Sequence, residues 1–84
     1  MSKIPKGWSK HDDKLTLKFH CDNFMHAVSL VNSIAAIAET QQHHPDIALE
    51  NYSELIITTT THSVGRLTDK DYTLAQEISE LINS

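Results

Sequence analysis

The spacing of apolar residues changes three times along this chain, and no single type of secondary structure satisfies all four stretches. From Lys14 to His20 the period is two, with Leu15, Leu17 and Phe19 on one side and Lys14, Thr16, Lys18 and His20 on the other, as in a half-buried strand. From about Asn23 to Thr40 it widens to a helical spacing. Phe24, Ala27 or Val28, Val31, Ile34 or Ala35, and Ala38 then share a face, and Asp22 stands ready to cap its start. Pro45 closes that window, because it disfavours helical geometry at His44 and removes a backbone donor. Beyond it Ile47 and Leu49 alternate with Asp46, Ala48 and Glu50. A turn near Asn51 leads into Ser53 to Thr61, dense in β-branched residues. The last change comes at Thr68-Asp69-Lys70-Asp71, a capping box with aspartate in place of glutamate, ahead of Leu74, Ala75, Ile78, Leu81 and Ile82 on a helical face.

Residues around Trp8 add a further strand, paired as a hairpin with the Lys14 to His20 stretch through a turn at His11, Asp12 and Asp13. The resulting order is ββαββα. Two apolar helical stripes and one apolar sheet face are buried most economically in an α+β fold, a four-stranded antiparallel sheet with two helices packed on one face. At 84 residues the chain is expected to form one domain, 1–84, with a thin core. Cys21 is the lone cysteine, so no disulfide closes within the chain, and oligomerisation is the expected reinforcement.

The start, Met1 to Lys10, lacks an apolar stretch, and no later run approaches a membrane span, so a reducing cytoplasmic compartment and no membrane partner are expected. The net charge is −4, and the seven Lys and Arg form no basic stripe, which argues against direct nucleic-acid binding.

Six histidines in so short a chain direct attention to proton chemistry near neutrality. His43 and His44 stand where the long helix gives way to a strand, and His62 where the threonine-rich strand ends. If those strands are neighbours, the three imidazoles meet in one pocket, with Asp71 or Glu39 as orienting carboxylates, an arrangement suited to acid and base work. His11, His20 and His26 read as solvated residues of a turn, a strand's polar face and a helix's outer face, and Cys21 as an apolar filler. Zinc is the rival chemistry for three histidines and a carboxylate. Adjacent ligands such as His43 and His44 do not converge on one ion as a helical i,i+4 pair does, so no metal is expected.

Taken together, Glu39-x-x-x-His43-His44-Pro45-Asp46, Tyr52, and Thr61-His62-x-x-Gly65-x-Leu67-Thr68-x-x-Asp71 resemble the signature of the pterin-4a-carbinolamine dehydratases. Gly7-Trp8, Phe19, Phe24, Ala27, Leu74 and Ala75 fall in the family's order too, so the resemblance covers nearly the whole chain. It implies a four-stranded antiparallel sheet with helices on one face and assembly as a homodimer or homotetramer. The implied activity is dehydration of 4a-hydroxytetrahydrobiopterin, in which the pterin is the substrate and no cofactor is used. It also implies site roles: His43 and His62 in proton transfer, His44 in pterin binding, and Glu39, Pro45, Thr61 and Asp71 in support of the pocket. The family further includes proteins that act as dimerisation cofactors of a transcription factor, which sets a non-catalytic binding role as the alternative.

Four features depart from the family pattern. Its N-terminal helix has no counterpart ahead of Gly7-Trp8, one extra residue falls between Pro45 and His62, Ile47 replaces a common aromatic, and Arg66 replaces a glycine. They predict altered assembly or an altered sheet edge, a changed pocket shape and a stiffer loop after His62.

Overall fold

A computed structural model describes residues 3–83. The chain forms β1 (Trp8–His11), β2 (Lys14–His20), α1 (Phe24–Gln41), β3 (Asp46–Glu50), β4 (Glu54–Thr59) and α2 (Asp69–Ile82). The expected ββαββα order is therefore met, and among the described residues no helix precedes β1.

All neighbouring strands are antiparallel, in the order β1-β2-β4-β3, so the two hairpins meet through their second strands. The register explains the alternation. Leu17 pairs with Ile57, which pairs with Ile47, and Phe19 pairs with Leu55, which pairs with Leu49, so each apolar row runs across the sheet on one face. Ala27, Leu30, Ile34 and Ala38 from α1 and Leu74, Ala75 and Ile78 from α2 close over that face. Central β2 and β4 carry the most deeply buried strand residues, Leu15, Leu55 and Ile57, whereas Ile47 and Leu49 of edge strand β3 are half-buried.

The turns are local solutions to the same register. His11 faces Lys14 across a two-residue hairpin in which Asp12 takes a left-handed φ of 53°, a conformation that aspartate tolerates better than most residues. The Thr60 hydroxyl donates to the Asp13 carbonyl at 2.7 Å, pinning this turn against the end of β4. At the other end of the sheet, Trp8 Nε1–H donates to Ser79 Oγ at 2.9 Å, and that hydroxyl donates to the Lys6 carbonyl at 2.8 Å. This clasp seats α2 on β1.

Helix α1 differs from expectation in its cap and at the first residue of its apolar face. Asn23, not Asp22, is the cap: its backbone is extended and its side chain accepts from His26 N–H at 2.8 Å. Phe24 is 52% exposed, and Ala35 is exposed as well. The buried stripe keeps the expected Ala27, Ile34 and Ala38 and adds Leu30, with Val31 and Ile37 beside it. Helical side chains lean toward the N-terminus, so a residue in the first turn leans off the end of that stripe. Cys21 is fully buried, as a filler should be, and burial, helped by Asp22 and Glu54, pushes its thiol pKa up.

Asn23→Ala is expected to cost about 0.5–2 kcal/mol and Asp22→Ala less than about 0.5 kcal/mol in urea denaturation, because only the former removes a capping acceptor. Equal losses would return the cap to Asp22.

Candidate active site

The end of α1 determines where the two adjacent histidines point. Gln42 adopts a left-handed φ of 54°, its N–H bonding Glu39 O, while His43 N–H bonds Ala38 O at 3.1 Å. This is the paired closure of a Schellman motif with glutamine in the place usually taken by glycine. The Gln42 side chain donates to the Glu39 carbonyl at 2.7 Å, which offsets part of the cost of that conformation. The chain then leaves the helix and runs through His44 and Pro45 into β3. His43 is directed inward, its side chain only 11% exposed, and His44 outward at 60%.

Beneath His43 lies Asp71, a fully buried carboxylate. Its Oδ1 accepts from His43 Nε2 and from Thr59 Oγ1, both at 2.6 Å, and its Oδ2 accepts from Thr61 Oγ1 at 2.6 Å and from Thr68 N–H at 3.0 Å. Four donors fill the four acceptor positions of a carboxylate. Burial drives the Asp71 pKa upward, but the bonds from Thr59, Thr61, His43 and Thr68 outweigh it and hold the carboxyl below its usual range. A carboxylate only accepts, so His43 must donate through Nε2. Nδ1 is thereby left to take up a proton in the neutral ring or to give one up in the charged ring. The Thr68 hydroxyl, 2.7 Å from Thr61 Oγ1, donates to it, because the Thr61 proton is committed to Asp71.

Asp71 is also the third residue of α2, where it completes the capping box with Thr68 and meets the positive end of the helix dipole. The same side chain therefore starts a helix and fixes an imidazole. Glu39 plays the corresponding part for His44, accepting from Nε2 at 2.5 Å, although both groups are exposed. The alternative of Asp71 or Glu39 as the orienting carboxylate thus resolves into one for each histidine.

His43, His44, Thr61 and His62 line one open cleft of about 300 Å³, together with Thr60 and Lys70. His62 belongs to the turn that follows β4, where Gly65, at a left-handed φ of 66°, brings the chain back so that Thr61 N–H bonds Arg66 O. Asp71 reaches the cleft through His43, and Glu39 through His44. Pro45 is half-buried outside the lining and sets the path of the chain. Among the described residues, no three His, Cys, Asp or Glu side chains are grouped to hold a metal ion.

Thr59 was missed by sequence reasoning, which took it as β-propensity alone, and Thr61 entered the site only through the family resemblance. Their alternation carried the signal: Thr59 and Thr61 face inward, and a buried hydroxyl needs a partner. Lys70 carried no signal beyond its place beside Asp71. His20, paired with Glu54, and His26, whose ring lies edge-on to Phe19 and accepts from Asp22 N–H, have structural surroundings. His11 is exposed as expected, but the hairpin places it on a second cleft that His62 also lines.

A family profile described as "Pterin 4 alpha carbinolamine dehydratase" matches residues 1–81. Two curated relatives carry the provisional name pterin-4-alpha-carbinolamine dehydratase. The one from Picosynechococcus sp. is 40% identical over 96% of this chain and 86% of its own length, and that from Thermomicrobium roseum is 37% identical over 96% and 85%. The crystal structure of a transcriptional coactivator/pterin dehydratase from Brucella melitensis superposes with a TM-score of 0.84 at 26% identity, covering 92% of this chain and 83% of that one. A pterin dehydratase-like protein identified as a RuBisCO assembly factor in the alpha-carboxysome shares the fold, with a TM-score of 0.72 at 17% identity over 92% and 88% of the two chains.

Because the folded Asp71 holds its proton less tightly than an unfolded aspartate, its ionisation stabilises the fold above the ordinary value of about 3.9, and that stability is lost as pH falls through the lower folded value. Asp71→Asn is expected to lower stability at neutral pH by about 1–3 kcal/mol, since an amide cannot accept from all four donors, and to weaken the acid dependence of unfolding. Urea titrations at several pH values check both; unchanged stability at neutral pH would contradict the network.

Proposed function

Because the chain belongs to the pterin-4a-carbinolamine dehydratase family, we propose that it is a cytoplasmic hydro-lyase that removes water from 4a-hydroxytetrahydrobiopterin, giving the quinonoid dihydropterin for tetrahydrobiopterin regeneration. The observation that carries this reading is the convergence of His43, His44 and His62 on one cleft, with His43 held through Nε2 by a buried carboxylate. The 4a-hydroxyl leaves as water after accepting a proton from an imidazolium, N5 yields its proton to a neutral imidazole, and the electron pair of the N5–H bond forms the C4a=N5 double bond. His43 and His62 share these two roles, and His44 binds the pterin with support from Glu39, Pro45, Thr61 and Asp71. Only the protein's own imidazoles and carboxylates take part. Each such acid or base group is worth about 10² to 10⁴-fold in rate.

Assembly as a homodimer or homotetramer is part of the proposal. It is supported by the thin core, by exposed Phe24, Met25 and Tyr52, and by a second sheet face that no helix covers among the described residues. A second, non-catalytic reading, as a protein-binding dimerisation cofactor of a transcription factor, draws on the Brucella melitensis neighbour, whose description pairs a coactivator with a dehydratase. That reading does not call for an imidazole held by a buried carboxylate beside a cleft.

Purified protein is expected to accelerate dehydration of synthetic 4a-carbinolamine with a bell-shaped pH profile, equally before and after chelation; no acceleration would favour the binding role. His43→Ala and His62→Ala are each expected to slow turnover by about 10² to 10³-fold, and the double variant only slightly more than the worse single one, as for two residues serving one event. Full additivity would break the pairing. Light scattering is expected to give a dimer or tetramer at micromolar concentration, against which a stable monomer would count.

A further inference from the structure

The oxygen that orients His43 is shared. Asp71 Oδ1 accepts from His43 Nε2 and from Thr59 Oγ1, each at 2.6 Å, whereas Oδ2 serves Thr61 and the cap of α2. Thr59 ends β4 on the sheet's inner face, is 1% exposed and lies outside the lining of the histidine cleft, so a molecule seated in that cleft does not touch it. Its hydroxyl donates to the same oxygen that holds the imidazole. We propose that Thr59 is a positioning residue for His43: through Asp71 Oδ1 it fixes the direction in which the ring is held and limits how strongly the carboxylate draws on the ring's proton.

This role deepens the dehydratase reading and rests on it. Two effects follow from the sharing. The first is geometric. The terminal torsion of an aspartate is broad when nothing restrains it. Thr59, carried by a strand, and Thr68 N–H, carried by a helix cap, bond opposite oxygens, so the plane of the carboxylate is set independently of His43. The second effect is electrostatic. Burial pushes the Asp71 pKa up, and the Thr59 bond is foremost among those that bring it below the usual range. A less basic carboxylate favours the charged form of its imidazole partner less.

The other titratable groups around His43 are His44 with Glu39 from the end of α1, His62 after β4 and Lys70 on α2. All four are exposed, and none of them bonds Asp71. Removing the Thr59 hydroxyl therefore alters the surroundings of His43 through Asp71 alone.

Thr59→Val removes the hydroxyl and keeps the branched shape, whereas Thr59→Ser keeps the hydroxyl. With synthetic 4a-carbinolamine, Thr59→Val is expected to lower kcat about three- to tenfold with KM unchanged, because the residue lies outside the cleft. One limb of the bell-shaped pH profile is expected to move upward by about half a unit, as Oδ1 with a single donor favours the charged ring. Thr59→Ser is expected to restore both. Should Thr59→Val fail to fold, Thr59→Cys, whose thiol is a weaker donor, is expected to show the same changes at reduced size. A folded variant with wild-type kcat and pH profile overturns the positioning role and leaves the dehydratase reading standing, as does a loss that Thr59→Ser fails to restore. No turnover by wild-type protein overturns the dehydratase reading instead. The role of Thr59 is then decided without substrate, by ¹⁵N NMR titration of the His43 ring: a midpoint higher in the variant than in wild type supports it, and an unchanged midpoint overturns it.

Discussion

The buried carboxylate of Asp71 is the constraint on which the rest of the architecture turns. A charge without solvent is tolerated only when donors replace the lost water, and here the donors come from four places in the chain: the end of α1, the last residue of β4, the bridge residue beyond it and the cap of α2. Satisfying one side chain therefore fixes the relative positions of two helices and the central hairpin strand. No buried side-chain nitrogen or oxygen among the described residues lacks a partner, so the polar interior is closed. Where the apolar core gives the fold its cohesion, Asp71 gives it alignment, at the point where alignment bears on His43.

The elements were legible because their periods differ, and a change of period survives almost any error of detail. Phase is harder. Phe24 fits the same helical face as Ala27, Ile34 and Ala38, yet it stays exposed while Leu30 is buried, since the stripe facing the sheet is chosen by the sheet. The cap lay one residue later than Asp22 because aspartate and asparagine serve equally well in sequence, and it is the Asn23 side chain that accepts from His26 N–H.

The site was legible to the extent that its residues sit at transitions between elements. His43, His44 and His62 end regular segments, and the antiparallel pairing of β3 with β4 gathers them. What could not be read were groups whose type has two uses. Thr59 looks like a strand former and acts as a hydroxyl donor to Asp71, as does Thr61, whose place in the site came only from the family motif. His11 reads as a turn residue, and its proximity to His62 depends on β1, β2 and β4 lying in one sheet, information that no local window of sequence contains.

The clasp of Trp8 on Ser79 has an optical consequence. Trp8 is the chain's one tryptophan, it is almost fully buried, and its indole N–H is held by a hydroxyl that is itself held by the Lys6 carbonyl. Indole emission responds to the polarity and hydrogen bonding around the ring, so the fluorescence of this molecule reports on one joint, the seating of α2 against β1. Because Trp8 lines neither cleft, that signal follows the integrity of the scaffold without interference from events at the histidines.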